Sequence, residues 1–353
     1  MGSLKRRTRW YNTNSPLERE HALEEGAKLL KKGGLVAFPT ETVYGLGAHS
    51  FQPRALEKIF EVKGRPPDNP LIIHISRTEE LEQVADQVPL EAYRLGEKFW
   101  PGPLTLVLKR KEGLPEQNSR GLPTIAVRLP AHPLARGLLK KVEAPLSAPS
   151  ANLSGSPSPT QAEHVWEDLA GKIDAIIDGG ISTVGVESTV LNLCVNPPVL
   201  LRPGGVTREQ LEEYLGLEII LPDQSISHEP PSSPGMKYRH YSPRAPLYLV
   251  TGDFSLLPHT MEDQLKYWLD QGKTVGLLCS RENHLSHSGQ ALVELLGSRE
   301  EPYQLAASLY AALRRLDARG AQVILAEGIA EKGMGLTFMN RLKKAAREII
   351  EAR

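Results

Sequence analysis

The chain is poor in cysteine. It has two in 353 residues, Cys194 and Cys279, far apart and each inside an apolar run. That pattern argues against a disulfide framework or a cysteine zinc site, and both thiols are expected to pack as small core residues. Long apolar runs are missing as well: none approaches the ~20 residues that cross a bilayer. The basic residues at the N-terminus have no apolar segment behind them, so no secretory signal is expected. Met1-Gly2 lacks Ser or Thr at the sixth position, where Arg6 stands, and so does not match a myristoylation signal. A reducing, cytoplasmic setting without membrane contact is the expectation. A charge excess is also absent: 42 basic residues offset 42 acidic ones. A protein that grips nucleic acid by its phosphates shows a positive excess, and here only Lys5-Arg6-Arg7 with Arg9 forms a basic run, which reads as a solvated tail. No HExxH pair, Cys/His ligand cluster or sequential Ser-His-Asp pattern occurs, so covalent and zinc catalysis are not favoured. If a metal takes part, Mg²⁺ held mainly by phosphates and water needs the fewest protein ligands.

What the chain does have is five short segments rich in Gly, Pro, Ser or Thr, each at the edge of an apolar run. They are Pro39 to Gly47 (PTETVYGLG), Lys63-Gly64-Arg65-Pro66 through His74, Trp100-Pro101-Gly102-Pro103-Leu104-Thr105, Ser147 to Asn152 (SAPSAN), and Leu201-Arg202-Pro203-Gly204. Loops at strand ends are where α/β proteins place ligand chemistry. Five of them point to one polar cleft for a nucleotide and a small anionic substrate.

The length suggests two domains. Ser15-Pro16-x-Glu18 is a capping box opening an amphipathic helix that stops at Gly33-Gly34. Residues 35–38, 71–75, 104–108, 124–129, 174–178, 189–193 and 199–202 read as strands, and Pro53 to about Glu61 as a helix. Thr160-x-x-Glu163 is expected to cap another helix, and Thr207 to Leu215 to form one. Several strands follow one another without a helix, which predicts a mixed, twisted sheet. Residues 222–246 are Pro/Ser-rich and then aromatic and basic, a linker and lid. A second α/β unit follows, with strands at 247–250, 274–279 and 321–326 and helices at about 260–271, 302–318 and 336–351. The expected division is 15–221, 222–246 and 247–353.

Two nucleotide signals fail on inspection. Gly45-Leu46-Gly47-Ala48-His49-Ser50 lacks the last glycine of the dinucleotide fingerprint and reads as a tight glycine turn. Gly272-Lys273-Thr274 has Tyr267 where a phosphate-binding loop needs glycine, and it leads into a strand. The remaining candidates each carry two readings. Thr40, Glu41 and Thr42 either serve a ligand or cap a turn. Lys63, Arg65 and Asn69 either cradle a triphosphate or sit at a solvated helix end. His74 is a site residue or a satisfied core histidine. Arg128, inside an apolar strand, needs a partner, either a substrate carboxylate or a structural one, and Arg202 invites the same argument. Ser147, Ser150, Asn152, Ser188 and Thr189 offer neutral donors suited to ribose, phosphate or an amine.

Taken together, PTETVYGLG, KGRPPDNPLIIHI, WPGPLTLVL, VRLPAHP, SAPSANLSGSPSPT, GVESTVL and LLRPGG resemble the YrdC-like family over about 15–220. The segment SPGMKYRHYSP and the final α/β unit resemble the extra domain of that family's long form. The resemblance implies a twisted mixed sheet with a concave cleft and a smaller C-terminal Rossmann-like domain. It also implies an activity: L-threonine, bicarbonate or CO₂, and ATP give threonylcarbamoyl-AMP and pyrophosphate, with Mg²⁺ carried on the ATP phosphates. The product would supply threonylcarbamoyladenosine beside the anticodon through a separate transferase, so stable tRNA binding by this chain is not expected. Carried over by position, Thr40, His74, Thr124, Arg128 and Ser188 would line the threonine pocket. Lys63, Arg65, Asn69, Ser150, Asn152, Ser158, Arg202 and Tyr238 would hold ATP, with Lys63 and Arg65 also the catalytic cations and no protein-held metal. An RNA-binding cleft and a carbamoyl transferase with another acceptor are the competing readings.

Overall fold

The computed structural model describes residues 7–66, 68–222, 240–283 and 288–352. The chain divides into two compact units, one built on a ten-stranded sheet and one on a five-stranded sheet.

The strands of the first unit are β1 Arg9–Tyr11, β2 Val36–Phe38, β3 Gly45–His49, β4 Ile72–His74, β5 Leu104–Lys109, β6 Thr124–Arg128, β7 Leu146–Ser147, β8 Ala175–Ile177, β9 Thr189–Asn192 and β10 Val199–Arg202. Their order is β1-β8-β2-β3-β7-β4-β6-β5-β9-β10, with parallel and antiparallel pairs mixed, as the helix-free strand successions predicted. Side chains alternate across this sheet. Ile73, Leu106, Ile125, Val127, Leu191 and Leu200 pack on one side with Ala92 and Leu95 of the helix Leu90–Phe99 and Leu211 of the helix Arg208–Leu215. On the other side Ile72, Val107, Ala126, Val190 and Leu201 form a small cluster made of strand residues alone. His74 and Arg128 stand two positions beyond Ile72 and Ala126, so they extend that second face.

The first helix, Pro16–Lys31, starts with the expected capping box: Glu18 N donates to Ser15 Oγ at 3.2 Å and Ser15 N to the Glu18 carboxylate at 2.9 Å. Three local expectations are corrected. The glycine turn at 45–47 is instead strand β3, and Gly47 is needed there because a Cβ would come 2.7 Å from the Phe38 ring. Thr160 is not the cap of the next helix: that helix is Ala162–Leu169 with Gln161 at its N-cap, and Thr160 N donates to His164 Nδ1 at 3.3 Å instead. Cys194 is exposed, beyond the end of β9, whereas Cys279 is buried as expected.

In the second unit β11 Leu247–Gly252, β12 Val275–Cys279, β13 Leu292–Leu295, β14 Val323–Glu327 and β15 Glu348–Ala352 form an all-parallel sheet in the order β13-β12-β14-β11-β15. Its helices are Leu257–Asp270, Pro302–Ala318 and Met334–Ala345. The last helix expected, 336–351, is corrected: it ends at Ala345, and Ile349 and Ile350 continue as β15 beside Leu249 and Val250. Edge pairing and the β-branched side chains override the helical pattern there. No helix among the described residues is long and apolar enough to cross a membrane.

Candidate active site

Arg128 closes β6 and is 4% exposed. Its Nε donates to the Gly102 carbonyl at 3.1 Å, Nη1 to Thr42 Oγ1 at 2.8 Å and Nη2 to Glu41 Oε1 at 2.5 Å. Glu41 Oε2 accepts from Ala131 N at 3.0 Å. The structural carboxylate is thus present and comes from the Pro39–Thr42 loop. A guanidinium has five N–H donors, so two on Arg128 remain beyond these three bonds. Thr40 Oγ1 donates to the Val43 carbonyl at 2.6 Å and lies 2.8 Å from Thr42 Oγ1, and Ser182 Oγ donates to the Thr40 carbonyl at 2.9 Å. The loop that holds Glu41 is therefore itself braced.

His74 pairs with Arg128 in the β4–β6 register, and its ring meets Phe38 edge-on at 6.1 Å. Burial pushes its pKa down to about 3, with Arg128 adding to the effect and the carbonyls of Ile72 and Leu146 opposing it. The imidazole is therefore neutral at physiological pH. The native state then binds fewer protons than the unfolded chain, where histidine titrates near 6.5. Stability falls as pH drops below that value, by about 1.4 kcal/mol per pH unit until about pH 3. Chemical denaturation should show a cost of about 2 kcal/mol between pH 7 and pH 5 from this group, and His74→Asn should lose that part of the slope. Equal slopes in both proteins would mean that His74 is not held neutral.

Ser188 joins this end of the sheet through Arg202. Its hydroxyl lies 2.7 Å from Thr105 Oγ1 and accepts from Arg202 Nη2 at 3.2 Å, while its carbonyl accepts from Arg202 Nε at 3.1 Å. The WPGPLT segment thus contributes twice, by the Gly102 carbonyl on Arg128 and the Thr105 hydroxyl on Ser188. Ser158 Oγ donates to Glu187 Oε1 at 2.5 Å, placing a buried carboxylate next to Ser188 in the chain.

The second group gathers around Lys63, the last residue of the helix Pro53–Lys63, which Gly64 ends in the left-handed conformation (φ 58°). Lys63 is no solvated helix end: it is 3% exposed, and its Nζ donates to the carbonyls of Ser150 at 2.6 Å and Asn152 at 2.5 Å. Burial, with Arg65 second, holds its pKa well below the lysine range against the pull of Asp168. Arg65 donates to the carbonyls of Asn69 at 3.1 Å and Pro70 at 2.7 Å. Asn69 is 2% exposed and its Oδ1 has no hydrogen-bond partner. The two cations thus shape the loops that carry Asn69, Ser150 and Asn152. Ser147 is used up elsewhere, in a buried network with Ser50 and Asn118.

Thr124 is not brought to the other expected threonine-pocket residues. It opens β6 while Arg128 closes it, and four strand steps separate them by about 13 Å. The parallel register with β4 carries Thr124 towards Pro70, at the Asn69 end. Tyr238, and with it most of the expected lid, lies outside the described residues. Thr105 and Glu187 are polar neighbours that motif reading did not single out, while Glu41 and Thr42 stood among its candidates without an assigned role. The signal for Glu41 was present: an arginine in an apolar strand requires a carboxylate, and PTET offers one.

Two polar groups thus stand in the first unit, one around the paired Arg128 at the end of β6 and one around the buried Lys63 at the end of its helix. The family model described as Telomere recombination (Sua5, YciO, YrdC) matches residues 28–204, and a second, described as the threonylcarbamoyl-AMP synthase C-terminal domain, matches 206–347. The chain belongs to the Sua5/YrdC family and carries both domains of its long form. It is 48% identical to the threonylcarbamoyl-AMP synthase of Pyrococcus abyssi, over 93% of this chain and 94% of that one. It is 45% identical to the enzyme of the same name from Bacillus subtilis, over 95% of this chain and 94% of that one. The crystal structure of Pyrococcus abyssi Sua5 complexed with L-threonine aligns with a TM-score of 0.91 at 46% identity, covering 98% of this chain and all of the other.

Proposed function

We propose that this chain makes threonylcarbamoyl-AMP from L-threonine, bicarbonate or CO₂, and ATP, releasing pyrophosphate. The observation that carries the reading is the Arg128 fork: a buried guanidinium with two N–H donors left over, at a strand end, in a chain whose relative was crystallised with L-threonine. Arg128 would take the carboxylate of the amino acid, with His74, Thr40 and Ser188 around it. The loops shaped by Lys63 and Arg65, with Asn69, Ser150, Asn152, Ser158 and Arg202, would take ATP, and Thr124 fits this nucleotide end by its place on β6. The threonine amine attacks CO₂, loses a proton and becomes a carbamate. A carbamate oxygen then attacks the α-phosphorus and pyrophosphate leaves. Orientation of two bound partners and neutralisation of polyphosphate charge supply most of the acceleration in such a scheme.

Magnesium would arrive with ATP and neutralise phosphate charge. Among the described residues no group of three or more His, Cys, Asp or Glu stands together to hold it. Glu41 and Glu187 are engaged with Arg128 and Ser158, so phosphates and water would be its main ligands. The product would feed the modification beside the tRNA anticodon through a separate transferase in the cytoplasm, and the balanced charge of this chain suits an enzyme that leaves the tRNA to its partner.

The test is pyrophosphate release by purified protein with ATP, Mg²⁺ and bicarbonate, scanned over the twenty amino acids. Release with threonine, with the mass of threonylcarbamoyl-AMP in the product, is the expected result. No release with any amino acid from folded protein would overturn the reading, and steeply salt-dependent tRNA binding would then favour an RNA-binding cleft.

A further inference from the structure

We infer that Glu41 selects the zwitterion: it makes the carboxylate-anchoring arginine electrically neutral before substrate arrives and leaves acceptor positions for the substrate's amino group. This rests on the proposed threonine pocket around Arg128. Glu41 is 8% exposed, and its two oxygens accept one bond each, from Arg128 Nη2 and Ala131 N. A carboxylate has about four acceptor positions, so about two remain. Arg128 likewise keeps two donors. The buried pair therefore keeps both donor and acceptor capacity, the complement of the carboxylate and ammonium of an α-amino acid.

The charge matters more than the contacts. An unpaired buried guanidinium would attract any anion, and bicarbonate and phosphate are anions this site must meet. Paired with Glu41, the cluster carries no net charge from these two residues, so a bare carboxylate gains little by replacing water. A ligand that also brings a cationic or neutral amine gains from both residues. Glu41 is a positioning residue in this account and takes no part in bond making. Its backing is built for fixed geometry: Ser182 holds the Thr40 carbonyl, Thr40 holds Val43, and Ala131 N holds the far carboxylate oxygen.

Direct binding tests this without relying on turnover. Calorimetry on the full-length protein would compare L-threonine with 3-hydroxybutyrate, which is threonine without its amine, in wild type and in Glu41→Gln. The amide keeps the size and an acceptor oxygen but removes the charge. The expected result is that wild type prefers threonine, and that Glu41→Gln reduces that preference by about ten-fold or more, threonine weakening while 3-hydroxybutyrate and inorganic phosphate tighten. Glu41→Asp, which keeps the charge, should retain the wild-type preference at lower affinity for both. If Glu41→Gln shifts both ligands in parallel, or leaves both unchanged, Glu41 is a structural brace and the inference is wrong. If Glu41→Gln does not fold, loss of the preference in folded Glu41→Asp would equally overturn it. Absence of threonine binding by wild type would overturn the inference together with the pocket. Threonine binding without pyrophosphate release would count against the proposed reaction alone.

Discussion

Arg128→Lys raises the apparent KM for L-threonine by about 10- to 100-fold and leaves the KM for ATP nearly unchanged. The guanidinium makes three internal bonds, to Gly102, Thr42 and Glu41, and still offers two donors. An ammonium has three donors in all and cannot keep that frame and also present a fork. Each hydrogen bond to a charged group is worth about 1.5–3 kcal/mol, so losing one at the substrate gives about the stated range. Glu41 would keep a cation nearby, which limits the damage to the fold. Arg128→Ala is the harsher variant: it leaves Glu41 as an unpaired buried carboxylate, at a cost of about 3–5 kcal/mol. Steady-state kinetics with each substrate varied in turn gives the answer. An unchanged threonine KM in folded Arg128→Lys would make the Glu41 pair the whole purpose of the arginine.

Lys63→Met loses more than 99% of kcat/KM, about 100-fold or more, through the geometry of the loop it holds as much as through charge. Lys63 Nζ is a shared donor for the carbonyls of Ser150 and Asn152, and Ser154 N donates back to the Lys63 carbonyl at 2.9 Å. Methionine fills the space but orphans two buried carbonyls, each at about 1–3 kcal/mol, while sparing the cost of a buried cation. The loop then finds other partners and carries Ser150 and Asn152 away from their positions. Hydrogen exchange in residues 150–154 should quicken in this variant while the helix Pro16–Lys31 stays protected. Retained activity with unchanged exchange would show that Lys63 neither holds this loop nor serves the nucleotide.

The sequence was informative where a single local pattern decided the outcome. The capping box at Ser15, the strands flanking each Gly/Pro segment and the alternation of the second α/β unit all follow from neighbours in the chain. Expectations failed where distant residues decide. Gly45 and Gly47 look like a turn until Phe38 is laid across them. Residues 348–352 look helical until β11 offers its free edge. Within the site, the demand of Arg128 for a carboxylate and the candidacy of Glu41 were both legible, but their pairing was not, because 87 residues separate the two. Lys63 was read as a cation facing solvent or phosphate. The two carbonyls it meets lie on a loop 87 and 89 positions further on. Motif resemblance named candidate residues but carried no register, and register is what sets Thr124 apart from Arg128.

The strand order of the first unit has a consequence for how it is made. β8, at 175–177, slots between β1 at 9–11 and β2 at 36–38. The earliest segments of the chain thus lie side by side with a late one and wait for it. Closing loops of that length is entropically costly and slow, and sheets with such distant pairings are late to acquire their native order. As this unit emerges from a ribosome, β1 has no sheet partner and β2 keeps one open edge until residue 177 is free. Ser188 and Arg202 follow only after that. The pocket is therefore among the last parts of the unit to form, and a chain interrupted before this point would present unpaired strand edges, a natural target for chaperones.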